Sequence, residues 1–417
     1  MDQFHLETLV FDKYDIPPPI EGTEEFITQF EWTSYYGPYG KYQKIMKYPI
    51  TAMRFQYFIQ RLIKLGEEEG VIFQFSSDFD EPIIKENKLI GIKVNQNGKK
   101  REFIGKLVVD TTGTSALVRR SLPDNFGVEK FKINDDEKMY VIQRHIRWKF
   151  PDQPHPGTGQ YEESISWLYY KTWVAPHFDP NGNIFGGGQP GGFENTEKAA
   201  KIFLSEVAFP PYEIIEVHKA TTAYRRSPYS LVGNGFLSLG DSACMSKSFS
   251  GEAIEASWRA SLIAIDVIDN NLKQNYELSK KNLWRINVDY FRGQGAKLAQ
   301  LLAQIPVAAN MTKKDVCYLF KKDFIFSGRD FTAMWEKLEL DMSLGRMLKI
   351  IGIFLWGLIS RQFSRKALGS MLKYMKISGK IRKHYENFPV DPSKFNGWVK
   401  IAEELWRPVE KMRFTLE

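Results

Sequence analysis

The sequence predicts an α/β protein, α+β overall, with a strand-turn-helix unit, an antiparallel-sheet region and a helical C-terminal region. Three observations predict it. Residues 235–262, GFLSLGDSACMSKSFSGEAIEASWRASL, read as a short apolar strand (Phe236, Leu237, Leu239), a sharp turn at Gly240–Asp241, a small-residue loop, and then Ser250–Gly251–Glu252–Ala253 opening a long helix. Residues 137–235 carry alternating segments such as MYVIQRHIRWKF and SISWLYYKTWVAP, the pattern of antiparallel strands. Beyond them, YELSKKNLWRINVDYFRGQGAKLAQLLAQIP reads as a helical run, followed by MLKIIGIFLWGLIS and a basic tail.

With 417 residues, 43% of them hydrophobic and 14% aromatic, the chain can build a sizeable core over two or three domains. Its two cysteines, Cys244 and Cys317, are too few for a disulfide framework or a thiolate metal site, and its six histidines show no ligand spacing. A reducing, cytoplasmic compartment is expected. The opening MDQFHLETLVFDKYD lacks the basic and apolar regions of a secretory signal, and no run of apolar residues is long enough to span a bilayer. The net charge of +7 is local: ten basic residues and no acid lie between Met342 and Tyr385, and the rest of the chain is net negative. That pattern predicts one cationic face and no nucleic-acid partner.

In chain order, residues 1–50 read as loops and short strands. Phe55, Phe58, Ile59, Leu62 and Ile63 recur at helical spacing up to Gly66 and Gly70, and VIFQF (71–75) alternates as a strand. IIKENKLIGIKV is a hairpin around Glu86–Asn87, with a second turn at Asn97–Gly98. KLVVDTTGTSALVRR gives a buried strand, a glycine turn and a helix. A literal G-x-G-x-x-G at Gly186, Gly188 and Gly191 is set aside as a phosphate turn. The apolar run before it is short, Pro190 sits inside it, and the acid about 20 residues on is Glu213, beside two prolines. The ten-residue apolar run Ile350–Ile359, bracketed by Lys349 and Arg361, suits a helix lying in the headgroup plane of an anionic membrane. The alternative is an ordinary domain helix that buries Ile350, Ile351, Phe354, Leu355 and Leu358 and solvates its lysines.

The chemistry centres on Gly240–Ala253. A strand ending in Gly-Asp puts a carboxylate where it can accept hydrogen bonds from a polyol, and the following helix start suits an electron-rich ring edge or a phosphate. The alternative is a βα turn with Asp241 as a local cap.

GDSACMSKSFSGEAIEAS resembles the GDAA…P..GEGI..A segment of the geranylgeranyl reductase branch of FAD-dependent oxidoreductases, with Ser248–Phe249 where proline is usual and Ala253 in place of glycine. The resemblance covers roughly residues 45 to 300. It implies FAD as cofactor, with Asp241, after Gly240, on the ribityl chain and Gly251, Glu252 and Ala253 facing the pyrimidine edge. It further implies Arg54 near the flavin and Asp110 and Gly113, from DTTG in place of the usual ADG, beside its adenine or pyrophosphate half. Arg54 alone reads equally as a solvated side chain. Tyr170, Trp173 and Pro176 partly match the family's YxWxFP substrate segment, although aromatics at strand spacing are ordinarily core.

The same resemblance divides the chain into a partial FAD-binding Rossmann-like domain (1–130), an inserted antiparallel-sheet substrate domain (131–232), a return to the FAD domain (233–300) and a helical C-terminal region (301–417). The opening G-x-G-x-x-G unit of such flavoproteins is not found before residue 45, so the FAD domain is expected to be N-terminally incomplete and to hold FAD weakly by itself. The implied activity is reduction of isolated double bonds in polyprenyl chains of membrane lipids or quinones, with electrons from NAD(P)H or ferredoxin, at the cytoplasmic face of a membrane. The alternatives are a flavin monooxygenase or halogenase, and a non-catalytic remnant or partner subunit.

Overall fold

A long, mostly antiparallel sheet of eight strands, two three-stranded sheets and a helical layer make up the computed structural model, which describes residues 3–156, 163–324, 328–339 and 343–410. The chain opens with β1 (Gln3–Glu7), α1 (Leu9–Lys13), β2 (Phe26–Tyr36), β3 (Lys44–Arg54) and α2 (Phe55–Glu68). Next come β4 (Ser77–Lys85), β5 (Lys88–Gln96), β6 (Lys99–Ile104), β7 (Val108–Asp110) and α3 (Leu117–Ser121). The middle holds β8 (Lys138–Trp148), β9 (Ser164–Trp167), β10 (Thr172–Pro176), β11 (Gly182–Pro190), α4 (Phe193–Glu206) and β12 (Tyr212–Ala223). After β13 (Val232–Gly233) and β14 (Phe236–Ser238) the described chain is helical: α5 (Ile254–Lys273), α6 (Lys280–Tyr290), α7 (Ala296–Ala309) and α8 (Lys313–Lys321). Then follow α9 (Gly328–Thr332), α10 (Leu344–Ile359), α11 (Arg365–Glu386) and α12 (Phe395–Glu410).

The largest sheet runs β1-β3-β2-β9-β10-β11-β8-β12. Residues 3–54 therefore supply three strands to the sheet expected to lie within 131–232, and the boundary at 131 does not divide it. Where loops and short strands are expected over residues 1–50, the chain forms two 11-residue strands, the second running to Arg54, and one short strand. Bulges interrupt the β2–β3 pairing, and Pro49 lies inside β3; both blur the alternation that a sequence scan relies on.

Local turn chemistry behaves as its residues dictate. Glu86 and Asn87 both have positive φ (48° and 59°), as do Asn97 and Gly98 (51° and 78°), the backbone that joins β4 to β5 and β5 to β6 by two-residue turns. VIFQF is not a strand. Residues 71–75 pair with no sheet among the described residues, and Ile72 is 81% exposed. Gly66, expected at the end of α2, lies inside it, where a Cβ would stand 3.1 Å from Phe73.

The second key sheet is short: β7 and β14 run parallel, with Asp110 opposite Ser238, and β13 flanks β14. Because β7 is the outer strand of this sheet, Val109 is 43% exposed and not buried as its apolar run suggests. The major core joins this sheet to α5, α6, α7, α11 and α12 through Leu237, Ala260, Trp284, Phe291, Ile381 and Trp406. Trp284 Nε1 donates to Pro389 O at 2.9 Å, tying the C-terminal helices to the sheet side of the molecule. Among the described residues no helix is long and apolar enough to cross a membrane.

Candidate functional site

The parallel strands β7 and β14 end level with each other, and both following turns are locked together there. Leu239 N (3.0 Å) and Ser242 Oγ (2.6 Å) donate to Asp110 O, and Arg119 Nε donates to Ser242 O at 3.0 Å. Asp110 is wholly buried, and its carboxylate serves its own turn: Oδ1 accepts from Thr112 N (2.9 Å) and Thr112 Oγ1 (2.7 Å), Oδ2 from Arg119 N (2.7 Å). Gly113 holds φ +67° with open space where a Cβ would stand, so backbone freedom is its requirement.

Across from it, Gly240 and Gly251 also take positive φ (67° and 76°) and bracket the loop that leads into α5. Glu252 Oε1 accepts from Glu255 N at 2.7 Å and so caps the helix, for which Ala253 is the residue before the first turn. Asp241 differs from Asp110. Its Oδ1 is buried without a hydrogen-bond partner, and burial, with Glu252 as a like charge nearby, pushes its carboxyl above the usual range. A buried acceptor of that kind calls for a donor from outside the protein. The side chain that caps the start of α5 is Glu252 and not Asp241.

The strongest electrostatic feature went unread in the sequence. Lys247, 1% exposed, sits among three glutamates, with Nζ 2.8 Å from Glu252, 3.3 Å from Glu255 and 3.6 Å from Glu7. Glu255 also takes Lys13 (2.7 Å), Tyr14 Oη (2.7 Å) and Arg259 (2.6 Å). Burial opposes its ionisation, but Lys247, Lys13 and Arg259 outweigh burial and hold it at about 2. Glu7 is pushed the other way, chiefly by burial and only partly relieved by Lys247. A lysine in a small-residue loop five residues before Glu252 and eight before Glu255 was the available signal; Glu7, 240 positions away from Lys247, gave none. Through Glu7 on β1 the cluster clamps the loop 240–253 to the long sheet.

Asp110 and Gly113 thus come together with Gly240 and Asp241, and the loop through Gly251, Glu252 and Ala253 continues from there. Arg54, Trp173 and Pro176 lie on the long sheet instead. Arg54 ends β3, donates to Glu24 at 2.7 Å and stacks over Phe178 at 4.4 Å; Pro176 O accepts from Gln3 Nε2 at 2.6 Å. Tyr170 is core: its hydroxyl donates to Glu206 (2.7 Å) and accepts from Tyr39 N (3.1 Å) beside Phe203. Trp173 pairs with Gly186, where a Cβ would stand 2.2 Å from the indole. Gly186 and Gly188 lie within β11 and not in a turn, so the literal G-x-G-x-x-G makes room for an aromatic ring. Gly186→Ala is expected to cost about 1–3 kcal/mol by overpacking. Urea denaturation measures it, and an unchanged midpoint would contradict the packing.

Two parallel strand ends, a buried carboxylate oxygen without a hydrogen-bond partner and the start of a 20-residue helix meet at the carboxyl ends of the strands, the place where open α/β sheets hold ligands. Asp241 fits a group that brings hydroxyl donors and the helix start fits an electron-rich ring edge; FAD has both. The fold is that of FAD-binding flavoproteins. Eighty per cent of the chain superposes on 85% of a geranylgeranyl bacteriochlorophyll reductase-like protein from Thermoplasma acidophilum (TM-score 0.67, 14% identity). Ninety per cent superposes on 87% of the flavin-dependent brominase Bmp2 (TM-score 0.59, 13% identity). In sequence, the chain is similar to the digeranylgeranylglycerophospholipid reductase of Sulfolobus acidocaldarius, 23% identical over 355 residues, covering 83% of this chain and 75% of that protein. No family model matches the chain. The resemblance carried by GDSACMSKSFSGEAIEAS is thus met by relatives of the same type.

Proposed function

We propose that this chain is an FAD-dependent oxidoreductase that reduces isolated double bonds of polyprenyl, geranylgeranyl-type groups in membrane lipids or quinones, with electrons from NAD(P)H or ferredoxin. The observation that carries the reading is the 355-residue match to a digeranylgeranylglycerophospholipid reductase, which covers 83% of this chain. FAD, when bound, supplies hydride chemistry that no side chain provides. In this reading Asp241 accepts hydrogen bonds from the ribityl chain, and Gly251, Glu252 and Ala253 present the positive end of α5 to the pyrimidine edge. The turn of Asp110 and Gly113 lies toward the adenine and pyrophosphate half. Lys247 and its glutamates keep the loop 240–253 in place, while Arg54, Trp173 and Pro176 line the approach of the prenyl chain from the sheet.

The face of α10 and α11 is the proposed docking surface for an anionic membrane. On α10, Phe354 and Gly357 are buried, whereas Leu348, Ile351, Leu355 and Ile359 form an exposed stripe at helical spacing. Lys349, Arg361, Arg365, Lys366, Lys373, Lys376, Lys380 and Lys383 are exposed on the same pair of helices and the turn between them. Apolar stripe and basic residues together are the composition of a helix that rests in the headgroup plane.

Asp241→Ala should weaken FAD by about 1.5–3 kcal/mol, roughly a 10- to 100-fold rise in Kd, read by flavin fluorescence titration. Unchanged affinity would return Asp241 to a structural role. For the activity, protein loaded with FAD and chemically reduced should convert vesicles of a geranylgeranyl phospholipid to lipid carrying two added hydrogens per double bond, read by mass spectrometry. Lipid returned unchanged, with turnover of a soluble aromatic in air, would favour the monooxygenase reading.

A further inference from the structure

The long sheet carries a second cluster, outside the flavin loop and unused by the proposed reaction. β12 pairs with β8 antiparallel, and the register shifts between Ile214 and Glu216, so that Ile215 is an extra residue on β12. A bulge of this kind re-aims the side chains that follow it. Here it sets Glu216 directly opposite His145, with His218 opposite Gln143. Residues 216 and 218 share one face of the strand, and a directly opposed pair shares that face too. The result is that ligand atoms of His145, Glu216 and His218 all lie within 4.8 Å of one another.

The surroundings hold these groups in place. His145 is buried, and its Nδ1 lies 2.9 Å from His177 Nε2 with the rings edge-to-face at 88°. The His218 ring packs 4.9 Å from that of His145, and its Nε2 is 3.3 Å from Glu216 Oε1. Glu216 is exposed and opens the cluster to solvent, which supplies an entry path. Ligating imidazoles are characteristically oriented by a hydrogen bond at the second ring nitrogen, the position His177 occupies.

We propose that His145, Glu216 and His218 bind a divalent transition metal ion of the zinc class, with His177 as a positioning residue. Two imidazoles and one carboxylate suit zinc, which accepts three protein ligands and a water in tetrahedral geometry. The ion bonds the His145 nitrogen that faces away from His177, which requires the tautomer whose Nδ1–H donates to His177. His177 then carries its own proton on Nδ1 and gives up the bond it accepts from Asp179 N at 3.0 Å. Since β12 is the outer strand of the sheet, the ion staples that edge to β8.

The test is a titration of the full chain, treated with chelator and dialysed, with Co2+ followed by visible absorption and then Zn2+ displacement. One equivalent with tetrahedral Co2+ bands is expected, and Zn2+ should raise the thermal midpoint. Glu216→Gln, at an exposed position, and His218→Gln should abolish both effects. His177→Ala should lower affinity about 10- to 100-fold, while His155→Gln, outside the cluster, should leave the isotherm as it is. Absence of saturable binding, or binding unchanged in both Glu216→Gln and His218→Gln, overturns the proposal. None of these readouts depends on flavin or on lipid reduction.

Discussion

Replacing Lys247 by methionine is expected to destabilise the protein by about 3–5 kcal/mol, the range for removing one partner of a buried ion pair. Methionine keeps most of the side-chain volume but leaves Glu7, Glu252 and Glu255 facing one another without their common cation. Lys247 is the cation that Glu7 pairs with, and the backbone hydrogen bond that also favours its charge does not offset burial and the neighbouring Glu252 and Glu255. A fall of that size takes away a large part of the ordinary stability of a folded domain, and it should appear as a lower urea midpoint with loss of the 240–253 loop from protease protection. Adding Glu7→Gln and Glu252→Gln to the Lys247→Met background should recover stability, because removing charges together with their partner costs less than stranding them, and Glu255 keeps Lys13 and Arg259. The pH dependence supplies a second readout. Glu255 is held at about 2 against an ordinary 4.5, so its contribution is complete above about 4.5 and is lost as pH falls through about 2. In Lys247→Met the sign should reverse above about 4.5: stranded glutamates rise in pKa beyond the ordinary 4.5, and protonating them on acidification restores stability. An unchanged midpoint at neutral pH, or the same acid slope in both proteins, would show that the cluster is not the clamp described.

The second large effect concerns the α10 stripe. Leu355→Glu with Ile359→Glu should abolish flotation of the protein on anionic vesicles. Each of these side chains contributes about 1.5–3 kcal/mol when fully buried in an apolar phase, so removing two and adding negative charge should weaken binding by more than about 100-fold. For the unaltered protein, flotation should require anionic lipid, because each basic residue near the surface contributes on the order of 1 kcal/mol only where the leaflet is negative. It should fade with salt as the Debye length falls from about 10 Å at 0.1 M to about 3 Å at 1 M. Gly352 faces open space on the same helix, and Gly352→Ala is a control that should leave flotation unchanged. Failure of the unaltered protein to float on any vesicle would remove the membrane face, and flotation of the double variant would move it elsewhere.

How much of this was legible beforehand follows from the range over which each feature is decided. The two-residue turns at Glu86–Asn87 and Asn97–Gly98 were readable because positive φ is a demand on the residues themselves. The strand ending at Gly240–Asp241 and the helix beyond it were readable for the same reason. α10 was only half readable: its periodicity allowed one buried stripe, and the expected set was split by packing, with Phe354 buried against Phe324 and Phe363 while Ile351 and Leu355 face outward. VIFQF has the alternation of a strand, but alternation does not supply a neighbouring edge to pair with.

The sequence by itself determined the local units: which stretches turn, which end in a carboxylate, which face of a helix is apolar, and that basic charge is gathered in one segment. Each of those rests on interactions within a few residues, where chain geometry leaves little choice. Only the tertiary structure decided that residues 3–54 complete the long sheet, that Glu7 meets Lys247, that Gly186 makes room for Trp173, and that a bulge at Ile215 gathers His145, Glu216 and His218. Those pairings join positions from 13 to 240 residues apart, and they depend on strand order and register, which burial of whole faces selects and no local pattern encodes.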